Sequence, residues 1–342
     1  MRLSRPAGGL LGAGMIAIAG LSAVKVAGGR LRHRTDPVLD SLATGPAEPV
    51  HHRIPTADGG ELHVVESGDP AAQPVVLMHG VTLQWWVWSS LMELLGDRYR
   101  VLAWDMRGHG ESRAGSDGVS LEATAVDLAT LLRELGLEDA IVVGHSMGGM
   151  TIGQFVRDHR AELEARVAAL YFVATSGSAI DKVVSRGSLR TAYGAVGLAL
   201  VNGLKRPMPY PWKDNDLSAV LLRAAFGHRA TAVMIEQVRE MVGSMSTATM
   251  IEAGNAIALH DVRDVLGAID VPTAVVVGDT DRITPPGHAR EIAELVKGAT
   301  LTVLPGVGHQ IMQEDPEALV SGIDELAARA RRVAVDPAPT PA

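Results

Sequence analysis

The densest chemical signal in the chain is Gly144-His145-Ser146-Met147-Gly148-Gly149, which follows the apolar run Ala140–Val143 and precedes a helical stretch beginning near Met150. A serine in G-x-S-x-G between a strand and a helix sits on a sharp turn, and small residues two positions to either side let the backbone cross itself. The Ser146 hydroxyl is thereby lifted clear of the sheet. The helix behind it aims free N–H groups and a favourable dipole at the same point, so the Met147 amide would meet an oxyanion formed there. A phosphate-binding loop is the competing use of such glycines, but neither G-x-G-x-x-G nor G-x-x-x-x-G-K-[ST] is present at this position.

A hydroxyl attacks only when a base removes its proton, and the base works best when an acid orients it. Both types follow at the ends of apolar runs. Ala274–Val277 leads into Gly278-Asp279-Thr280-Asp281-Arg282-Ile283-Thr284-Pro285, and Leu301–Leu304 leads into Pro305-Gly306-Val307-Gly308-His309. The order serine, acid, histidine is that of the nucleophile-elbow design. The remaining histidines have plainer readings: His145 packs beneath the elbow, and His109 holds the turn after Trp104-Asp105. His51, His52, His228, His260 and His288 show no metal-binding spacing such as H-E-x-x-H, so no metal and no cofactor are expected. Trp85, Trp86 and Trp88 either start a helix or wall a substrate cleft, and at least one of them should face that cleft.

The elements that must hold these groups read as an α/β fold. His51–Ile54 and Glu61–Glu66 flank the turn signal Asp58-Gly59-Gly60, which predicts an antiparallel hairpin. Thereafter the apolar runs Val75–Met78, Val101–Trp104, Ala140–Val143, Val167–Val173, Ala274–Val277 and Leu301–Leu304 alternate with helical periodicity such as Leu121–Leu135 and Pro285–Val296. Continuous apolar strands between helices mean a mostly parallel sheet covered on both faces. Between about 175 and 256 the alternation stops. A loop of that length without structure is improbable, so an inserted helical cap is expected, carrying Tyr193, Met208, Tyr210, Trp212, Phe226, Met234, Met241 and Met245.

With these residues in view, the sequence resembles the α/β-hydrolase family over nearly all of residues 50–332. The resemblance rests on His79-Gly80, Asp105-Met106-Arg107-Gly108-His109-Gly110-Glu111-Ser112, the Ser146 elbow, Gly278–Asp281 and Gly306–His309, in that order. It implies an α/β-hydrolase fold with a mostly parallel central sheet. It places the acid at Asp281, with Asp279 as the alternative, and the first oxyanion donor at the Val81 N–H beside that of Met147. Relatives that open epoxides or remove halide carry aspartate at the elbow; serine suits acyl transfer. The expected enzyme is a carboxylic ester hydrolase, lipase-like, acting on a small-molecule ester or lipid-like substrate, with Trp85, His145, Tyr210 and Trp212 as candidate pocket residues. The elbow and the His79-Gly80 region are also similar to the cofactor-free haloperoxidase and perhydrolase branch, and carbon–carbon bond hydrolases share the triad. A non-catalytic binder on this scaffold would be expected to have lost a triad member.

Composition sets the outer limits. The 342 residues are 47% hydrophobic and 20% charged with a formal net charge of -8, so a basic face tracking nucleic acid is not expected. The absence of cysteine removes thiol nucleophiles and disulfides. Residues 1–35 hold six basic residues and no acidic one, leaving the remainder at -14. Within them, Ala7–Val24 runs 18 residues without a charge, and residues 7–29 are expected to associate with a membrane as an uncleaved anchor. Flanking basic residues favour a cytoplasmic catalytic domain; export after signal cleavage is the alternative. Residues 35–49 read as a linker, the tail from Val333 as disordered, and the oligomeric state stays open.

Overall fold

The computed structural model describes residues 26, 28–31, 33–179 and 216–335. The expected anchor, Tyr193, Met208, Tyr210, Trp212 and the end of the tail lie wholly or almost wholly outside the described residues. The elements in chain order are α1 (Pro37–Leu42), β1 (Val50–Pro55), β2 (Glu61–Ser67), β3 (Pro74–Met78), a 3-10 turn (Trp85–Trp88), α2 (Ser89–Leu95), β4 (Arg100–Asp105), α3 (Leu121–Glu134), β5 (Ala140–His145), α4 (Met147–Asp158), α5 (Arg160–Arg166) and β6 (Val167–Val173). They continue with α6 (Asp216–Leu222), α7 (Ala232–Ser244), α8 (Thr247–Leu259), α9 (Arg263–Leu266), β7 (Thr273–Gly278), α10 (Pro286–Leu295), β8 (Thr300–Leu304), α11 (Ile311–Glu314) and α12 (Pro316–Val335).

The eight strands form one sheet in the order β1-β2-β4-β3-β5-β6-β7-β8. β1 and β2 form the expected antiparallel hairpin, β2 runs antiparallel to β4, and every later pairing is parallel. The two-residue alternation of strand side chains divides the apolar content into two layers. Val75, Leu77, Ile141 and Val143 join Leu91, Leu95, Leu319 and Ile323 of α2 and α12 on one face. Val76, Met78, Val142 and Trp104 join Leu128, Leu132, Phe155 and Ile292 of α3, α4 and α10 on the other. Central strands are therefore apolar at every position because both faces are covered.

Three readings change. Leu301–Leu304 was expected to be a buried run, yet Leu301 and Val303 are 37% and 38% exposed. Among the described residues β8 is the edge of the sheet, with β7 as its one strand neighbour. Residues 35–49, expected to be a linker, contain α1. Asp36 caps that helix by accepting from the Val38 and Leu39 amides at 3.1 and 3.2 Å, and Pro37 occupies its first position. Asp-Pro is a helix start as well as loop punctuation, and composition alone does not separate the two. The segment is fastened to α7: the Ala232 N–H donates to the Arg34 carbonyl at 2.8 Å, the Thr231 hydroxyl donates to Asp40 at 2.7 Å, and Gln237 donates to the Ala43 carbonyl at 3.1 Å. At the other end α12 takes in residues 333–335, where disorder was expected. Between β6 and β7 the regular elements among the described residues are helices, joined by loops. Among the described residues no helix is long and apolar enough to cross a membrane.

Candidate active site

Parallel strands deliver their following loops to one edge of the sheet, and the loops after β3, β5, β7 and β8 carry Val81, Ser146, Asp281 and His309. Ser146 adopts φ 52° and ψ -114°, a left-handed backbone unusual for a non-glycine residue. Its conformation is held by its own peptide groups: the N–H donates to the Val173 carbonyl at 3.0 Å, and the carbonyl accepts the Thr175 hydroxyl at 2.6 Å. The crossing requires glycine. A Cβ on Gly144 would lie 2.5 Å from the Gly148 carbonyl oxygen, and one on Gly148 would lie 2.5 Å from the Met78 carbonyl oxygen. Although Ser146 occupies the N-cap position of α4, its hydroxyl makes no capping bond. Met147 opens the helix, so its N–H has no helical carbonyl to meet.

Asp281 and His309 come together as the sequence order suggested. The His309 Nδ1–H donates to Asp281 Oδ2 at 2.8 Å, with both residues only 4% exposed. Because a carboxylate oxygen accepts, this bond places the ring proton on Nδ1 and leaves the Nε2 lone pair available in the neutral ring. Asp281 is itself fixed: Oδ1 accepts from the Ile283 and Thr284 amides at 2.8 and 3.0 Å, and Oδ2 accepts the Thr284 hydroxyl at 2.8 Å. Thr284 Oγ1 also lies 3.2 Å from His309 Nδ1, so one hydroxyl braces both members of the pair. Asp279 is separate. It is exposed and accepts the Gly306 N–H at 2.8 Å.

His145 joins the elbow to the His309 loop. Its Nε2–H donates to the His309 carbonyl at 3.0 Å, and the two rings lie 4.6 Å apart. Burial, reinforced by His309 nearby, holds His145 well below the ordinary histidine range. With no exposed surface, it fits the packing reading and not the pocket reading. Of the three tryptophans, Trp88 stands edge-on to His145 at 6.4 Å, whereas Trp85 meets the His51 ring at 6.2 Å. Tyr210 and Trp212 lie outside the described residues.

The loop after β3 is organised by His79. Its Nε2 accepts the Met106 N–H at 3.0 Å, which leaves the proton on Nδ1 to be donated to the Gly80 carbonyl at 2.7 Å. Burial, then the charge of His109, lowers His79 to about 3, so the ring stays neutral and this tautomer is kept. The Leu83 N–H also donates to the Gly80 carbonyl, at 3.2 Å. A trans peptide points its N–H opposite to its C=O, so the Val81 N–H faces away from His79 and Leu83. Gly80 lies against the elbow serine: a Cβ there would come within 3.0 Å of Ser146 Cβ. Asp105, at the end of β4, anchors the same loop by accepting the Trp85 N–H at 2.8 Å. The sequence marked His79 and Asp105 only as recurring letters and missed Thr284. The D-x-x-T spacing after β7, a turn-capping pattern, was the available signal for the threonine.

A family model for the alpha/beta hydrolase fold matches residues 73–316. A non-heme haloperoxidase from Rhodococcus erythropolis is 30% identical over 278 residues, spanning 75% of this chain and 92% of its own length. A non-heme chloroperoxidase from Kitasatospora aureofaciens is 31% identical over 264 residues, spanning 75% and 91%. Among solved structures, a malate-bound thermophilic esterase from Thermogutta terrifontis superimposes with a TM-score of 0.66 at 27% identity, over 83% of this chain and all but 1% of the esterase. On sheet order, elbow geometry and a family match over more than two thirds of its length, this chain belongs to the alpha/beta hydrolase fold family and is an enzyme of that family.

Proposed function

We propose that the protein is a serine hydrolase that cleaves small carboxylic esters through an acyl-enzyme on Ser146. The observation that carries this reading is the buried Asp281–His309 pair, with its proton on Nδ1, brought against the elbow residue His145. His309 takes the Ser146 proton as the hydroxyl oxygen attacks the ester carbonyl, and Asp281 stabilises the imidazolium that results. The tetrahedral oxyanion rests on the Val81 and Met147 amides, each contributing about 3 kcal/mol to lowering the barrier. His309 then gives its proton to the departing alkoxide. Water, deprotonated by His309 in turn, attacks the acyl-enzyme and releases the carboxylic acid.

A second reading keeps the acyl-enzyme and changes the acceptor, and the two haloperoxidase relatives favour it. Hydrogen peroxide in place of water would release a peroxy acid, which in turn oxidises halide. A fluorophosphonate should label the protein at Ser146 and fail on Ser146→Ala; labelling that persists in the variant refutes the nucleophile. A chain-length series of p-nitrophenyl esters, run beside peroxide-dependent halogenation with acetate, separates the two acceptors. Residues 7–29 are read as a membrane-associating segment on the strength of 18 uncharged residues; full-length protein that stays soluble on detergent-free fractionation rules that out.

A further inference from the structure

Glu314 is fully buried at the end of α11, where its carboxylate accepts from backbone amides and feels the charge of Arg223. Oε1 accepts the Gly308 N–H at 2.9 Å and the Gly227 N–H at 2.8 Å, and Oε2 accepts from Gly227 at 2.9 Å and from Arg229 at 3.2 Å. Burial raises this carboxyl even though the amides it serves pull the other way. Gly308 immediately precedes His309, whereas Gly227–Arg229 leads into α7. The two backbones touch: a Cβ on Gly227 would lie 2.5 Å from Gly308 N, and one on Gly308 would lie 2.2 Å from Gly227 N. The His309 N–H donates across the same seam to the Ala225 carbonyl at 2.8 Å.

We propose that Glu314 is a positioning residue for His309, fixing the histidine loop against the segment 225–229 so that the helical region between β6 and β7 sets the ring's place. This rests on reading His309 as the base. The backbone entering the His309 Cα is held from that segment, directly at the His309 N–H through Ala225 and indirectly at the Gly308 N–H through the carboxylate. Without the carboxylate, the buried Gly227 and Gly308 amides and the part-buried Arg229 amide lose their acceptor, a cost the chain relieves by parting the seam. A displacement on the order of 1 Å at a proton-transferring group is worth about 100-fold in rate.

The test separates misplacement of His309 from simple loss of folded protein. An alkoxide must receive the His309 proton to leave, whereas p-nitrophenolate leaves without it. Glu314→Met, which keeps the length of the side chain and removes both acceptor oxygens, should therefore lose at least about 10-fold more kcat/KM on ethyl butyrate than on p-nitrophenyl butyrate. Glu314→Asp, which keeps the charge and withdraws it by one methylene, should show the same imbalance to a smaller degree. It also supplies the comparison if Glu314→Met does not fold. Equal losses on the two esters, or none, overturn the assignment even where the melting temperature falls. Fluorophosphonate labelling of wild-type Ser146 is run alongside. Its failure refutes the serine-hydrolase reading and this proposal with it, whereas intact labelling with equal losses refutes the role of Glu314 alone.

Discussion

Asp281→Asn is the sharpest test of the acid–base pair, because the structure dictates how the substitution fails. The carboxylate accepts four hydrogen bonds, two amides on Oδ1 and the Thr284 hydroxyl and His309 Nδ1–H on Oδ2. An asparagine keeps its carbonyl for the amides, since Ile283 and Thr284 can only donate. Its NH2 group then confronts Nδ1–H across 2.8 Å, donor against donor. His309 relieves the clash by moving its proton to Nε2, the atom required to accept from Ser146. The analogous substitution in the serine-protease triad costs about 10⁴-fold in kcat, so a loss of about 10³–10⁴ is expected here, or roughly 4–5 kcal/mol at 1.36 kcal/mol per decade. KM should change little, since Asp281 is 4% exposed and held by its own loop. Two companions calibrate the result. Thr284→Val removes the bracing hydroxyl and should cost about 1 kcal/mol, near 5-fold. Asp279→Asn retains an acceptor for the Gly306 amide and should fall by less than about 3-fold. The assay is kcat and KM on p-nitrophenyl butyrate, with circular dichroism to verify folding. Retention of more than about a tenth of the activity in Asp281→Asn, or a comparable loss in Asp279→Asn, refutes the reasoning.

Other expectations concern the scaffold. Burial alone would raise Asp58, but the Thr56 hydroxyl, the Asp117 amide and Arg107 lower it from 3.8 to about 2. A depressed carboxyl contributes stability that is complete above its unfolded value and disappears as pH falls through the folded one. Asp58→Asn should therefore melt below wild type at pH 6, with the deficit shrinking below pH 4 and gone by about pH 2; a constant deficit contradicts the ion pair. Gly148→Ala drives a Cβ to 2.5 Å from the Met78 carbonyl oxygen and should cost more than about 3 kcal/mol or prevent folding. Gly59→Ala, at φ +85° with nothing within 4 Å, should cost only the left-handed strain, about 1 kcal/mol, in urea denaturation.

The proposed catalytic groups could be picked out because each lies where a periodic signal changes. Ser146, Asp281 and His309 all follow apolar runs that become strands, and glycines mark the turns. What escaped depended on partners remote in sequence. Glu314 looks like an ordinary surface glutamate at the start of a helix, and only the approach of Gly227 to Gly308 shows why it is buried. Trp88 rather than Trp85 reaches His145, since a 3-10 turn distributes its side chains over a three-residue period that the sequence does not announce. β8 reads as apolar yet lies half-open, because strand order, and hence which run becomes the edge, is a property of the whole sheet. The Asp36-Pro37 helix start was visible but ambiguous until α7 supplied a surface for it.

The strand order also has a temporal meaning. Ser146 directly follows β5, which lies between β3 and β6, and can reach its final turn once those neighbours pair. Asp281 and His309 follow β7 and β8, which come later in the chain. Val81 and His309, more than two hundred positions apart, share one edge only when the whole sheet is closed, and such remote pairings are slow to form. On the proposed triad, a chain that stops short of β8 holds Ser146 without His309. Turnover should then return only with completion of the sheet rather than with the first appearance of helices, which makes the reaction a clock for that closure.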